Sequence, residues 1–313
     1  MQTSPMINTS FEESCARVRR IIVDTAFRCG QSAHIGGSLS MVELLNTLFS
    51  DVLSHRPHEP QWDGRDIFIL SKGHAVLGYL AVLHHFGYFD AEKLATFQTN
   101  GSDLIAHPVK KVALGIESSN GSLGQGLAYG MGIALGMRKR KQDRRVYVLL
   151  GDGECNEGSV WESAASASEM GVGNLTAIID ENGFRNDGPN ATYTNRIALT
   201  NIWRAFGWNV INVDGHDHHQ ILSALQQAKE VADMPTAIVA RTVKGRGLPF
   251  MENNNDWHHN RITGTIYEEC LKALGESTGS GAGNGRRIPW LSCRAAMHAR
   301  GRASGRGLFM VRR

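Results

Sequence analysis

Five short apolar runs recur along the chain: DIFIL (66–70), VYVLL (146–150), LTAIID (175–180), WNVINV (208–213) and TAIVARTV (236–243). Near-continuous runs of this kind mark strands buried on both faces, and parallel strands need a long crossover between them. Helical spacing fills the intervals. It covers 11–29 ending at Gly30, roughly 40–53, AVLGYLAVLHHFG (75–87), 124–141, 157–170, about 197–206 and HHQILSALQQAKEVA (218–232). This alternation predicts an α/β fold, a parallel sheet with helices on both faces.

Among 313 residues, 42% are apolar and 20% charged, the balance of a globular protein. The formal charge of +3 is unevenly spread. Residues 277–313 hold eight arginines and no Lys, Asp or Glu, so they carry +8 while 1–276 carry −5. The expected organisation is therefore one domain over 1–276 and a basic Gly/Arg-rich tail over 277–313. The tail lacks a sustained apolar period and is expected to be disordered or non-native. Its charge would suit nucleic acid, but nothing else in the sequence does, and no nucleic-acid partner is expected. The first helix has charges throughout, unlike a secretory leader, and no run approaches the roughly 18 apolar residues of a membrane span. Cys15, Cys29, Cys155, Cys270 and Cys293 show no metal-ligand spacing. A cytoplasmic protein with reduced thiols and no membrane partner is expected.

The stretch LLGDGECNEG (149–158) puts Asp152 between two glycines where an apolar strand stops and a helix begins. Ligands of open α/β sheets bind at that edge. A lone Asp-Gly is more often a plain turn, but the next strand ends in IIDENGF, which places Asn182 on the same edge. A carboxylate, an amide oxygen and a nearby backbone carbonyl make a hard oxygen set suited to Mg²⁺ or Ca²⁺ beside a phosphate-bearing ligand. The start of helix 157–170 adds amides that favour phosphate oxygens.

The spacing G-D-G, 28 residues, N resembles the signature of thiamine diphosphate enzymes. AHIGGSLS (33–40), LSKGHAVLGYL (70–80), AHP (106–108), GSLGQGLAYGMGIALG (121–136), VDGHD (213–217) and KGRGLPFMENNNDWHH (244–259) follow in the order found in the amino-terminal half of transketolases. The match spans roughly 10–275. It implies a thiamine diphosphate-binding fold, with Asp152, Asn182 and the Phe184 carbonyl as metal ligands. Gly153, His74 and His258 would contact the diphosphate. Gly121 and Leu123 would hold the aminopyrimidine through main-chain groups. His34, His74, His107 and His258 would line a substrate channel. Glu157 would join a proton network between two cofactor sites.

Each residue also has a plainer reading. His34 or His107 alone would be a satisfied loop histidine, the glycines of 121–126 could serve only helix packing, and His216 could be local loop structure. His55, His58, His84, His85, His218, His219 and His298 are expected at surfaces or helix ends. Two departures stand out: Ser122 replaces a frequent Pro, and the usual Trp-His-Gly reads Trp257-His258-His259. The latter makes His258 the least secure assignment.

A full transketolase is about twice as long, and its second half binds the pyrimidine end of the cofactor. The resemblance is therefore to the amino-terminal subunit of split transketolases. It implies transfer of a two-carbon ketol unit from a ketose phosphate to an aldose phosphate, with a separate carboxyl-terminal, pyrimidine-binding subunit, in a heterotetramer. The alternatives are a split transketolase for an unusual sugar phosphate, the α-subunit of a 2-oxo acid dehydrogenase, or an inactive truncated relic.

Overall fold

Ser10 opens the first helix with a capping box: its hydroxyl accepts from Glu13 N, and Glu13 reaches back to Ser10 N. In the computed structural model, which describes residues 10–190 and 198–275, that helix is α1 (Phe11–Cys29), closed by Gly30 in a left-handed conformation. The helices that follow are α2 (Gly36–Leu39), α3 (Val42–Thr47), α4 (Val76–His85), α5 (Ala91–Leu94), α6 (Gln125–Lys139), α7 (Gly158–Glu169), α8 (Leu199–Ala205), α9 (His218–Glu230) and α10 (Gly264–Ala273). The strands are β1 (Ile67–Leu70), β2 (Val146–Gly151), β3 (Leu175–Glu181), β4 (Phe184–Arg185), β5 (Gly188–Pro189), β6 (Asn209–Asp214) and β7 (Thr236–Arg241). The tail at 277–313, with Cys293 and His298, lies outside the described residues.

All five predicted strands are present and form one parallel sheet in the order β1-β2-β3-β7-β6. Alternate residues serve two cores. Tyr147, Leu149, Ile178 and Ile238 pack with α1, α3, α4 and α9. Val146, Val148, Leu150, Ala177 and Val239 pack with α6, α7 and α8. β3 is the middle strand, so its carboxyl end lies at the centre of the sheet edge.

The differences from the sequence reading are local. The segment 40–53 is not one helix: α2 and α3 meet at Met41 (φ −98°, ψ 7°), and a π-helical turn covers Leu48–Val52. α5, α10 and the two-residue hairpin β4–β5 were not expected. α10 docks on α1 through stacked Phe27 and Tyr267 rings, with Tyr267 donating to Asp24 at 2.7 Å.

α6 is glycine-rich for two different reasons. At Gly130 a Cβ would stand 2.5 Å from Val148 Cγ2, so the helix lies directly on β2 there, while at Gly132 it would meet nothing within 4 Å. Gly130→Ala is expected to cost about 1–3 kcal/mol through overpacking. Gly132→Ala is expected to stabilise the isolated chain by roughly 0.5–1 kcal/mol through helix propensity. Urea unfolding of the two variants checks the opposite signs.

Candidate active site

β2 and β3 run in register with Gly151 beside Asp180, and the turns beyond them interlock. Asp152 N donates to Asp180 O at 3.2 Å. Gly153 N and Gly183 N donate to Asp152 Oδ1 and Oδ2 at 2.8 and 2.9 Å. Asp152 is buried, and burial, reinforced by the Asp180 carboxylate, pushes its pKa up to about 6. Asn182 is oriented by Asp180: its Nδ2 donates to Asp180 Oδ2 at 3.0 Å, which turns Oδ1 away to accept from Phe184 N at 3.1 Å. The Phe184 carbonyl lies 3.4 Å from where a Cβ on Gly153 would be.

Asp152, Asn182 and the Phe184 carbonyl thus gather around one turn, and this mixed hard-oxygen set fits a divalent cation. A cation would also relieve the repulsion that raises Asp152. Among the described residues no cluster of three or more His, Cys, Asp or Glu side chains could hold a metal. Any ion here therefore depends on that mixed set.

Directly beneath lies a fully buried ion pair that the sequence reading missed. Lys72 pairs with Asp180 and also donates to Gly37 O at 2.8 Å. Asp180 further accepts from Ser40 (2.6 Å) and from Thr242. Burial opposes its ionisation, but the Lys72 ammonium and these hydrogen bonds outweigh that and hold it below the usual carboxylate range. A charged residue within an otherwise apolar strand run was the signal available.

On the other side of the same cleft, of about 440 Å³, lie Gly121 and Leu123. Their turn closes at Gly124, which is left-handed (φ +79°) and where a Cβ would stand 2.7 Å from the Cβ of Glu157. Glu157 also lines the cleft and is exposed at the start of α7.

His34, His74, His107 and His258 come together in that cleft as expected. The His34 ring centroid lies 5.2, 6.1 and 5.3 Å from those of His74, His107 and His258. His259, the departure noted above, stands only 4.5 Å from His34. Burial, then the neighbouring imidazoles His259, His258 and His107, push His34 down to about 3. Burial and the Lys244 charge push His258 down to about 4, and burial with Lys72 carries His74 well below its ordinary value. These three imidazoles are neutral at pH 7.

Lys244 opens the KGRG motif, and its residue type alone gives it no role there. Its Nζ reaches His258 Nδ1 and Asn255 Oδ1, both at 2.8 Å. Burial, then the charge of Lys72, lower it to about 8. An ammonium only donates, so Nδ1 of His258 accepts and its proton sits on Nε2.

His216 holds the loop that carries Lys244. Its Nε2 accepts from Val243 N at 2.9 Å, and its Nδ1 faces Glu43 Oε2 at 3.0 Å. Glu43 is paired on its other oxygen with Arg19, which donates to Arg246 O at 3.0 Å. The plainer reading of His216, as loop structure, is the one this geometry supports. Of the other histidines, His84 and His85 end α4 and His218 begins α9 as expected, whereas His55 is half-buried in a loop, stacked on Tyr88 and bonded to Phe49 O at 2.8 Å, rather than at a surface or helix end.

A family model described as transketolase, thiamine diphosphate binding domain, matches residues 11–277. The chain belongs to the transketolase family. It is 35% identical over 261 residues to the 6-deoxy-6-sulfo-D-fructose transketolase subunit SqwG of Clostridium sp. (strain MSTE9), covering 82% of this chain and 93% of that one. It is 34% identical over 258 residues to a subunit of the apulose-4-phosphate transketolase of Phocaeicola vulgatus, covering 82% and 91%. Against human transketolase it is 35% identical over 266 residues but spans only 42% of that protein. Among solved structures, transketolase from Leishmania mexicana superposes with a TM-score of 0.79 at 27% identity, covering 86% of this chain and 42% of that one.

The neutral histidines predict a pH response. The unfolded chain protonates histidine near pH 6.5, whereas folded His34 and His258 take up protons only near 3 and 4. The unfolded state therefore binds more protons across that window. Their contribution to stability is full above about pH 6.5 and is lost as the pH drops toward about 3. His34→Gln is expected to make that acid limb shallower, read as urea midpoint against pH. An unchanged slope would show that His34 is not held neutral by its surroundings.

Proposed function

We propose that this chain is the diphosphate-binding subunit of a two-component transketolase. It would transfer a two-carbon ketol unit from a ketose phosphate to an aldose phosphate, in cytoplasmic carbohydrate metabolism of the pentose phosphate type. The observation that carries the reading is coverage. The chain aligns with nearly all of two relatives named as subunits, and with about two fifths of the single-chain transketolases. Those relatives are named for 6-deoxy-6-sulfo-D-fructose and apulose-4-phosphate, which supports a donor among anionic ketoses rather than one named sugar.

The mechanism divides along the cleft. Bound thiamine diphosphate would supply the carbanion stabilisation that ketol transfer needs. Asp152, Asn182 Oδ1 and the Phe184 carbonyl would hold Mg²⁺ (or Ca²⁺). Gly153, His74 and the Nε2–H of His258 would contact the diphosphate. Main-chain groups of Gly121 and Leu123 would seat the aminopyrimidine. His34 and His107 would face the sugar and exchange protons with its hydroxyl and carbonyl oxygens, a role that the two ring nitrogens of an imidazole suit. Glu157 would face the proton network shared with the second site. A carboxyl-terminal, pyrimidine-binding subunit would supply the opposing wall, giving a heterotetramer with two sites. Tyr129 on α6 and Met170 after α7 are exposed large apolar residues, and the α6–α7 layer that carries them would dock it.

Two outcomes test this. Asp152→Ala is expected to keep the fold and abolish metal-dependent thiamine diphosphate binding, because it removes the only anionic donor in the proposed set. Unchanged affinity would place the metal elsewhere. The chain alone is expected to lack ketol transfer and to gain it with a pyrimidine-domain subunit, whose acid–base group is worth about a hundred- to ten-thousand-fold. Turnover and sedimentation, alone and mixed, decide; full turnover by the isolated chain would sink the two-component reading.

A further inference from the structure

One buried carboxylate at the site has no part in that mechanism. Glu154 is 2% exposed and sits two residues after Asp152. Its Oε1 accepts from Ser71 Oγ at 2.5 Å and from Gly124 N at 2.9 Å, and its Oε2 accepts from Gly151 N at 3.1 Å. All three donors are uncharged, and they come from three separate segments: the end of β1, the turn before α6 and the end of β2. Gly124 directly follows the turn that carries Gly121 and Leu123. Gly151 directly precedes Asp152.

We propose that Glu154 is a positioning residue that clamps the glycine turn to the Gly151–Asp152–Gly153 turn, and so sets the spacing between the two ends of the cofactor. The inference rests on the thiamine diphosphate reading for its ligand, but the clamp is a property of the chain itself. Only a carboxylate satisfies the arrangement. Glutamine has the same shape but one acceptor oxygen, and its NH₂ must face a donor. Ser71 can rotate to adapt, whereas the Gly124 and Gly151 amides cannot. Whichever way the amide points, one of the two turns loses its acceptor. Glu154 needs no contact with metal, cofactor or sugar to act in this way.

The test compares Glu154→Gln and Ser71→Ala with the unaltered chain. Amide exchange is followed first, without cofactor. Affinity is then measured for thiamine diphosphate and for inorganic diphosphate, each with Mg²⁺. In Glu154→Gln the Gly124 or Gly151 amide is expected to exchange about ten- to a hundredfold faster, as for loss of a hydrogen bond to a charged acceptor. Thiamine diphosphate affinity is expected to fall about as much, while inorganic diphosphate, which touches only one end, changes by less than about threefold. Ser71→Ala, which keeps both turns clamped, should change each quantity by less than about threefold. Equal loss for both ligands would mean general loosening and would overturn the clamp, as would unchanged exchange. Should Glu154→Gln fail to fold, the unaltered chain still decides: a Gly124 amide exchanging at the unprotected rate without cofactor overturns the proposal. If the unaltered chain binds neither ligand even with a pyrimidine-binding subunit present, the cofactor reading fails, and the exchange measurements separate that failure from failure of the clamp.

Discussion

The buried pair of Lys72 and Asp180 is the interaction on which the rest of the site depends. Two charges with side chains no more than 1% exposed are costly to desolvate and persist when hydrogen bonds compensate them. Here both carboxylate oxygens and two of the three ammonium protons are engaged. Asp180 takes Lys72, Ser40, Thr242 and Asn182, while Lys72 spends a further proton on Gly37 O. The pair joins the end of β1, the α2 turn, the middle strand and the end of β7. It also fixes the amide of Asn182, and with it the direction of the oxygen that would meet a cation. Removing one partner would leave an uncompensated buried charge, a loss of about 3–5 kcal/mol. The edge of the sheet is therefore held from below by a buried ion pair, whose Lys72 also lines the cleft.

Above that pair, burial acts on the acidic and basic groups of the cleft in opposite senses. Asp152 is raised because it is desolvated beside another carboxylate, whereas His34, His74 and His258 are lowered because they are desolvated beside cations or one another. The acidic and basic groups are thus each strained toward neutrality from opposite sides. Under the proposed function, a divalent cation bound with an anionic diphosphate would answer both at once, the cation stabilising Asp152 and the anion stabilising Lys244. Neither ligand alone would do so.

The layer structure was legible because parallel strands buried on both faces must be apolar throughout, and all five announced themselves. The edge of the site was legible for a related reason. Asp152 and Asn182 interrupt apolar runs where an α/β sheet places its ligands, and the histidines came with the motifs around them. What stayed hidden was held by tertiary contact. Nothing local marks Lys72 as the partner of a residue 108 positions away, or Lys244 as the group that sets a tautomer of His258. The break at Met41 interrupts a segment whose spacing reads as one helix. α10 was overlooked although it carries its own amphipathic period, since its neighbour in sequence is the compositionally odd tail.

His258 shows how far an outer contact can reach. The sequence made it the least secure of the four histidines, because His259 adds bulk where a glycine is usual. The geometry locates that bulk against His34 rather than against the Lys244 side of the ring. Lys244 occupies Nδ1, so Nε2 keeps its proton and stays a donor at any pH where the lysine is charged. Lys244 is itself held by Asn255 and by the loop that His216, Glu43 and Arg19 pin from the far side of the sheet edge. A chain of neutral and charged partners thus runs from α1 to one imidazole proton. The two histidines at the end of the motif divide the labour accordingly: His258 is held by its lysine with Nε2–H left to donate, and His259 stands against His34.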